Sequence, residues 1–123
     1  MSAEEPSALM MIKLMPDWGT GPLWVAKDGV SEPYDTDEIT EVLSLSAELR
    51  TEIAAWDNRF QATFNAEYPP DSAFPTPEDE AVFIADGREL ARRVQTEVPG
   101  AVVLYETIDG KSIPVNGSRA SAD

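Results

Sequence analysis

Six apolar residues recur through the middle of this chain at spacings of four, four, three, four and four: Leu45, Leu49, Ile53, Trp56, Phe60 and Phe64. That is one stripe on a 3.6-residue period. It predicts an amphipathic α-helix whose bulky, aromatic-rich face must be buried against another layer. Ser44 or Ser46 supplies the N-cap, where a short side-chain oxygen satisfies a free backbone N–H. Glu48, Arg50, Glu52 and Asp57 occupy the opposite face, and the helix is expected to end near Asn65, ahead of Tyr68-Pro69-Pro70.

A second helix is expected from Thr76-Pro77-Glu78-Asp79-Glu80. Thr caps, Pro presets the first helical φ, and the acids suit the positive end of the helix. Its stripe is Phe83, Gly87, Leu90, Val94 and Val98, with Ile84 and Ala91 beside it, and Pro99-Gly100 ends it. A glycine inside a helix costs about 1 kcal/mol against alanine, so Gly87 reads as a close-packing position. Arg88, Arg92 and Arg93 lie in the C-terminal half, where cations suit the dipole. Arg59, within the aromatic face of the first helix, is expected to pair with a carboxylate and to stack on a ring.

Strand-like runs flank the helices. Met11-Ile12-Lys13-Leu14-Met15 stops at Pro16, and Leu23-Trp24-Val25-Ala26 is closed by Lys27-Asp28-Gly29, which together predict a hairpin with a long loop. Val30 to Leu43 is acidic and irregular, with a short helical turn expected at Asp37 to Val42. Ala101-Val102-Val103-Leu104-Tyr105 reads as a central strand, because its apolar run is nearly continuous. Asp109-Gly110 then turns into a last edge strand that tolerates Pro114. The expected fold is α+β: a small antiparallel or mixed sheet in ββααββ order with both helices packed on one face. Residues 10–115 form the single domain. Residues 1–9, ahead of the Met10 or Met11 that opens the first strand, and 116–123 are expected to be loose tails.

Charge limits what such a domain does. The chain has 23 acidic against nine basic side chains in 123 residues, a net charge of −14, and neither His nor Cys. Disulfides, thiolate nucleophiles, a Ser-His-Asp triad and the commonest metal ligands are therefore ruled out within it. Binding phosphates needs Lys and Arg, so neither nucleic acid nor an anionic membrane surface is an expected partner. A basic protein is, because a negative field speeds its encounter. The acidic N-terminus and the lack of a long apolar run lead to a cytoplasmic expectation.

Two segments carry the candidate binding residues. The loop from Pro16 to Trp24 sets Asp17, Trp18 and Trp24 around two glycines, and exposed Trp commonly anchors interfaces. Glu32, Tyr34, Asp35, Asp37, Glu38 and Glu41 form the strongest local acidic bias ahead of the helices. The bland readings are that both indoles cap the core and that the acids form a solvated loop. Gly19-Thr20-Gly21 lacks the spacing and the Lys of a phosphate loop. Asp35 and Asp37 lack the Gly and the later Glu of a calcium loop, and no metal or cofactor is expected. Asp71, Glu78, Asp79 and Glu80 could in principle supply a carboxylate pair. Helix-end charge explains the last three without catalysis, and the expected protein is not an enzyme.

Lys13-Leu14-Met15-Pro16-Asp17-Trp18, Pro22-Leu23-Trp24, Leu45-Ser46-Ala47-Glu48-Leu49, Trp56 with Arg59-Phe60, and Phe74 ahead of a Glu-rich helix are similar to a group of short acidic bacterial proteins. The resemblance spans roughly residues 11–107 and assigns no chemistry to its motifs. Small acidic bacterial proteins of this type often neutralise toxins as immunity proteins. By that analogy the resemblance implies an inhibitor that occludes a cationic active site, such as that of a nuclease. The readings kept beside it are a small-ligand or metal-responsive domain with a pocket between the Trp loop and the helices, and a structural subunit of a larger assembly.

Overall fold

The computed structural model describes residues 10–27, 30–68, 73–108 and 111–115. The tails expected at 1–9 and 116–123, the turn at Asp109 and Gly110, and Asp28 and Asp71 lie outside the described residues.

Strands β1 (Met11–Leu14), β2 (Leu23–Lys27) and β3 (Val30–Tyr34) come first, followed by a 3₁₀ turn over Glu38–Glu41. Helices α1 (Ala47–Gln61) and α2 (Pro77–Glu97) follow, then β4 (Val102–Glu106) and β5 (Ser112–Pro114). The strands form one sheet in the order β3-β2-β1-β4-β5. Neighbours are antiparallel except β1 and β4, which run parallel, so the sheet is mixed. A parallel pair cannot be joined by a tight turn, and here the chain between them carries both helices.

Strand register explains the core. Val25, Ile12 and Val103 lie side by side across β2, β1 and β4, and Leu23, Leu14 and Tyr105 form the next row. All six are buried. Their alternate neighbours Trp24, Lys13 and Leu104 face the other side and remain partly exposed. The helices cover the first face with Leu49, Ile53, Trp56 and Phe60 from α1 and Phe83, Leu90, Ala91 and Val94 from α2. Burying each large side chain is worth about 1.5–3 kcal/mol.

The two helix starts are as expected. Ser46 accepts from Leu49 N–H and Thr76 from Asp79 N–H, with Pro77 in the first turn. Gly87 is where α2 crosses Trp56 and Tyr105. A Cβ there would lie 2.5 Å from both the Trp56 ring and the Tyr105 hydroxyl oxygen. Arg59 does both things asked of it: it binds Asp86 at 3.0 Å and sits 5.6 Å over the Phe83 ring. Pro114 does lie on an edge strand.

Three expectations need correction. The acidic stretch after Gly29 contains a strand, β3, so the order is βββααββ. Only Tyr34 of β3 is partly buried, so the segment has no alternation to read, and its pairing with β2 makes it a strand. Helix α1 ends at Gln61 rather than near Asn65. Thr63 Oγ1 donates to the Phe60 carbonyl at 2.6 Å, taking an acceptor that a further helical turn would use. Phe64 consequently leaves the stripe and is 45% exposed. Finally, β1 is the central strand. β4 lies inside the sheet, but it alternates buried and half-buried residues instead of being buried on both faces.

Candidate functional site

The loop between β1 and β2 is held shut at its base, where Met15 N–H donates to the Pro22 carbonyl at 2.9 Å. Within it Gly19 takes a φ of +79°, a conformation that suits glycine. Gln61, the last residue of α1, clamps the loop. Its Nε2 donates to the Asp17 carbonyl at 2.8 Å and to Asp57 Oδ1 at 3.2 Å, and its Oε1 accepts from Gly19 N–H at 3.1 Å. Burial raises the Asp57 carboxyl above its ordinary range, opposed by the Gln61 hydrogen bond. Trp18 stacks on Phe60, with centroids 4.8 Å apart and planes 13° from parallel. Its Nε1 donates to the Phe60 carbonyl and to Thr63 Oγ1, both at 3.3 Å. The indole is thus positioned but remains 38% exposed.

The acidic segment begins on edge strand β3. Tyr34 donates to Glu32 Oε1 at 3.3 Å. Its phenol is pushed above its ordinary range, by desolvation first and then by Glu32, Glu41 and Glu38. Asp35 Oδ1 accepts from Asp37 N–H at 3.0 Å and Glu38 N–H at 2.8 Å, while Glu38 Oε1 accepts from Asp35 N–H at 3.1 Å. This reciprocal pattern starts the 3₁₀ turn, and buried Ile39 pins it to the core. Glu32, Asp35, Asp37, Glu38 and Glu41 are all exposed. Among the described residues none of them forms an ion pair.

The Trp18 loop and the turn that follows β3 lie at the same end of the sheet. Gly21 joins the two segments: a Cβ on it would run into the backbone of Tyr34 and Asp35. Asp17 and Trp18 therefore belong to the same end as Tyr34 and the acids that follow it. Trp24 does not join them. It points to the sheet face away from the helices, half-buried, with Nε1 donating to the Met15 carbonyl at 3.3 Å.

A cavity of about 480 Å³ lies between the Trp18 loop and the helices, where the small-ligand reading set a pocket without naming its wall. Trp18, Phe60 and Phe74 line it with Asp17, Glu80 and Glu106, and among the described residues no Lys or Arg lies in its wall. Glu80 is legible in the sequence as a first-turn acid and Phe74 as part of the resemblance, yet only the fold turns both toward Trp18. Gln61 leaves no signal, since a polar residue at a helix end is ordinary. Among the described residues, no group of three or more His, Cys, Asp or Glu is arranged to hold a metal ion. Nor is any helix among them long and apolar enough to cross a membrane.

Compared with known protein families, the chain matches the one described as Serratia CdiI immunity protein-like over residues 10–107. Comparison with curated proteins gives no match. The match covers most of the chain, and the chain belongs to the Serratia CdiI immunity protein-like family.

Proposed function

We propose, from membership of that family, that this chain is an immunity-type inhibitor that binds a basic bacterial toxin and blocks it without catalysis. One observation carries the electrostatic part. Five exposed carboxylates from Glu32 to Glu41 stand without a cationic partner among the described residues; Glu32 lies midway along β3, and the other four follow Tyr34 at the sheet end that also presents Asp17 and Trp18. Unpaired acids on one end of a chain of net charge −14 steer a cationic surface toward it. An aromatic anchor such as Trp18 then supplies contact area with little rotamer entropy to lose. The inhibition we infer is occlusion: carboxylates take the place of the anionic substrate that a cationic active site, such as a nuclease's, would hold. Trp24, on the other sheet face, contributes to the same interface only where the partner wraps around the edge at β3.

The test is capture from the native organism's lysate at low and high salt, followed by a toxicity assay of what is captured. A basic protein that is retained at low salt, shed at high salt and rendered harmless by this chain is the expected outcome. A captured toxin whose affinity ignores ionic strength would remove the electrostatic part of the reading. Captured proteins whose toxicity the chain leaves unchanged would remove the inhibitor reading itself.

A further inference from the structure

We propose that the cavity under the Trp18 loop is a socket for one arginine side chain of the partner. This deepens the inhibitor reading and rests on it for the identity of the occupant's owner. The cavity measures about 480 Å³, large enough for a guanidinium and its stem, and it opens to solvent beside the half-exposed Trp18 indole.

The chemistry of the wall selects the occupant. Three rings, Trp18, Phe60 and Phe74, stand in the wall with two acidic residues, Asp17 and Glu80; Glu106 also lines it, with its carboxylate turned to Lys13 on the sheet face away from the helices. Glu106 is partly neutralised by Lys13 at 3.4 Å, whereas Asp17 and Glu80 have no ion-pair partner among the described residues. An anion is disfavoured although the N-terminus of α2 lies beside the cavity, because Glu78, Asp79 and Glu80 fill its first turn. A neutral apolar group would lie against the rings and leave the carboxylates unused. A planar cation uses both, stacking on the aromatic faces and forking to a carboxylate. The same aromatic cluster already accepts one guanidinium from within the chain. Arg59 sits 5.6 Å over Phe83, a ring that contacts both Phe60 and Phe74.

The socket is tested without the toxin. The uniformly ¹⁵N-labelled full chain is titrated with N-acetyl-arginine amide, and the Trp18 indole N–H signal, identified by its loss in Trp18→Phe, is followed by NMR. N-acetyl-citrulline amide and N-acetyl-norleucine amide serve as neutral analogues of similar shape. A saturable shift of the Trp18 signal is expected, with the arginine probe binding about tenfold more tightly than either analogue. Glu80→Gln and Asp17→Asn are each expected to weaken it severalfold while the Trp56 signal stays in place, which confirms that the fold is intact. Absence of a saturable shift, equal binding of citrulline or norleucine, or indifference to both substitutions would overturn the proposal. Equal binding of the analogues would mark the cavity as a neutral small-ligand pocket. Because the probe reports on the cavity alone, its failure leaves the capture result standing, and failed capture leaves a positive titration standing.

Discussion

Gly87 sits where helix propensity and packing oppose each other. Alanine there would gain about 1 kcal/mol of propensity. Its Cβ would also press on the Trp56 ring and the Tyr105 hydroxyl, both in the buried core. Overpacking of this kind costs about 1–3 kcal/mol, so Gly87→Ala is expected to lower the urea midpoint; a raised midpoint would contradict the close crossing. Asp57 allows a prediction with pH. Burial raises its folded carboxyl above the ordinary value of 3.8, so the folded chain holds this proton at pH values where the unfolded chain has released it. The folded state therefore loses stability at this site as pH rises from about 4 through the raised value. Relative to Asp57→Asn, which cannot ionise, the native protein is expected to be at its best near about pH 3 and to fall behind near about pH 7. Urea unfolding of both proteins at the two pH values measures this, and a pH-independent difference would remove it.

At the scale of elements, the start of α1 is tied to the end of α2. Ser46 accepts from Leu49 N–H at 3.1 Å, and its own hydroxyl and N–H both donate to the Glu97 carboxylate at 2.7 Å. Loss of the N-cap alone costs about 1 kcal/mol. Ser46→Ala and Glu97→Gln are therefore expected to be non-additive in denaturation, since both cut the same connection; additive losses would show that the cap acts alone. The cap was legible in the sequence because it spans three residues. The tie to Glu97 was not, because it spans 51. The other end of α1 behaves in the same way. The apolar period runs on to Phe64, but Thr63 and Trp18 both donate to the Phe60 carbonyl and the helix stops. Strand β3 has no core-facing alternation, and only the neighbouring β2 makes it a strand.

For the whole molecule, net charge matters more than any single ion pair. With 23 acidic and nine basic side chains, the folded chain repels itself. Each of its surface ion pairs is worth at most about 1 kcal/mol, so screening is expected to relieve more repulsion than it removes attraction. Raising salt from about 0.02 to about 0.5 M should raise Tm, and a fall would show that the ion pairs outweigh the repulsion. The same field acts on a partner. Glu38→Gln with Glu41→Gln removes two of the unpaired acids, so slower association with the captured toxin and little change in dissociation are expected in a stopped-flow measurement. A change confined to dissociation would make these acids contact residues and not steering charges.

What the sequence by itself determined lies within one or two turns of chain: both helices with their caps, the glycine at the crossing, the hairpins, and a strongly acidic character. Period, capping and composition are interactions between near neighbours, and those are written in the order of residues. Only the tertiary structure decided that β1 is central, that β3 pairs at all, and that Trp18 stacks on a ring 42 positions away. It alone brought Phe74 and Glu80 to face Trp18 across a cavity. Such contacts depend on which surfaces the buried core brings together, and no local pattern along the chain encodes that choice.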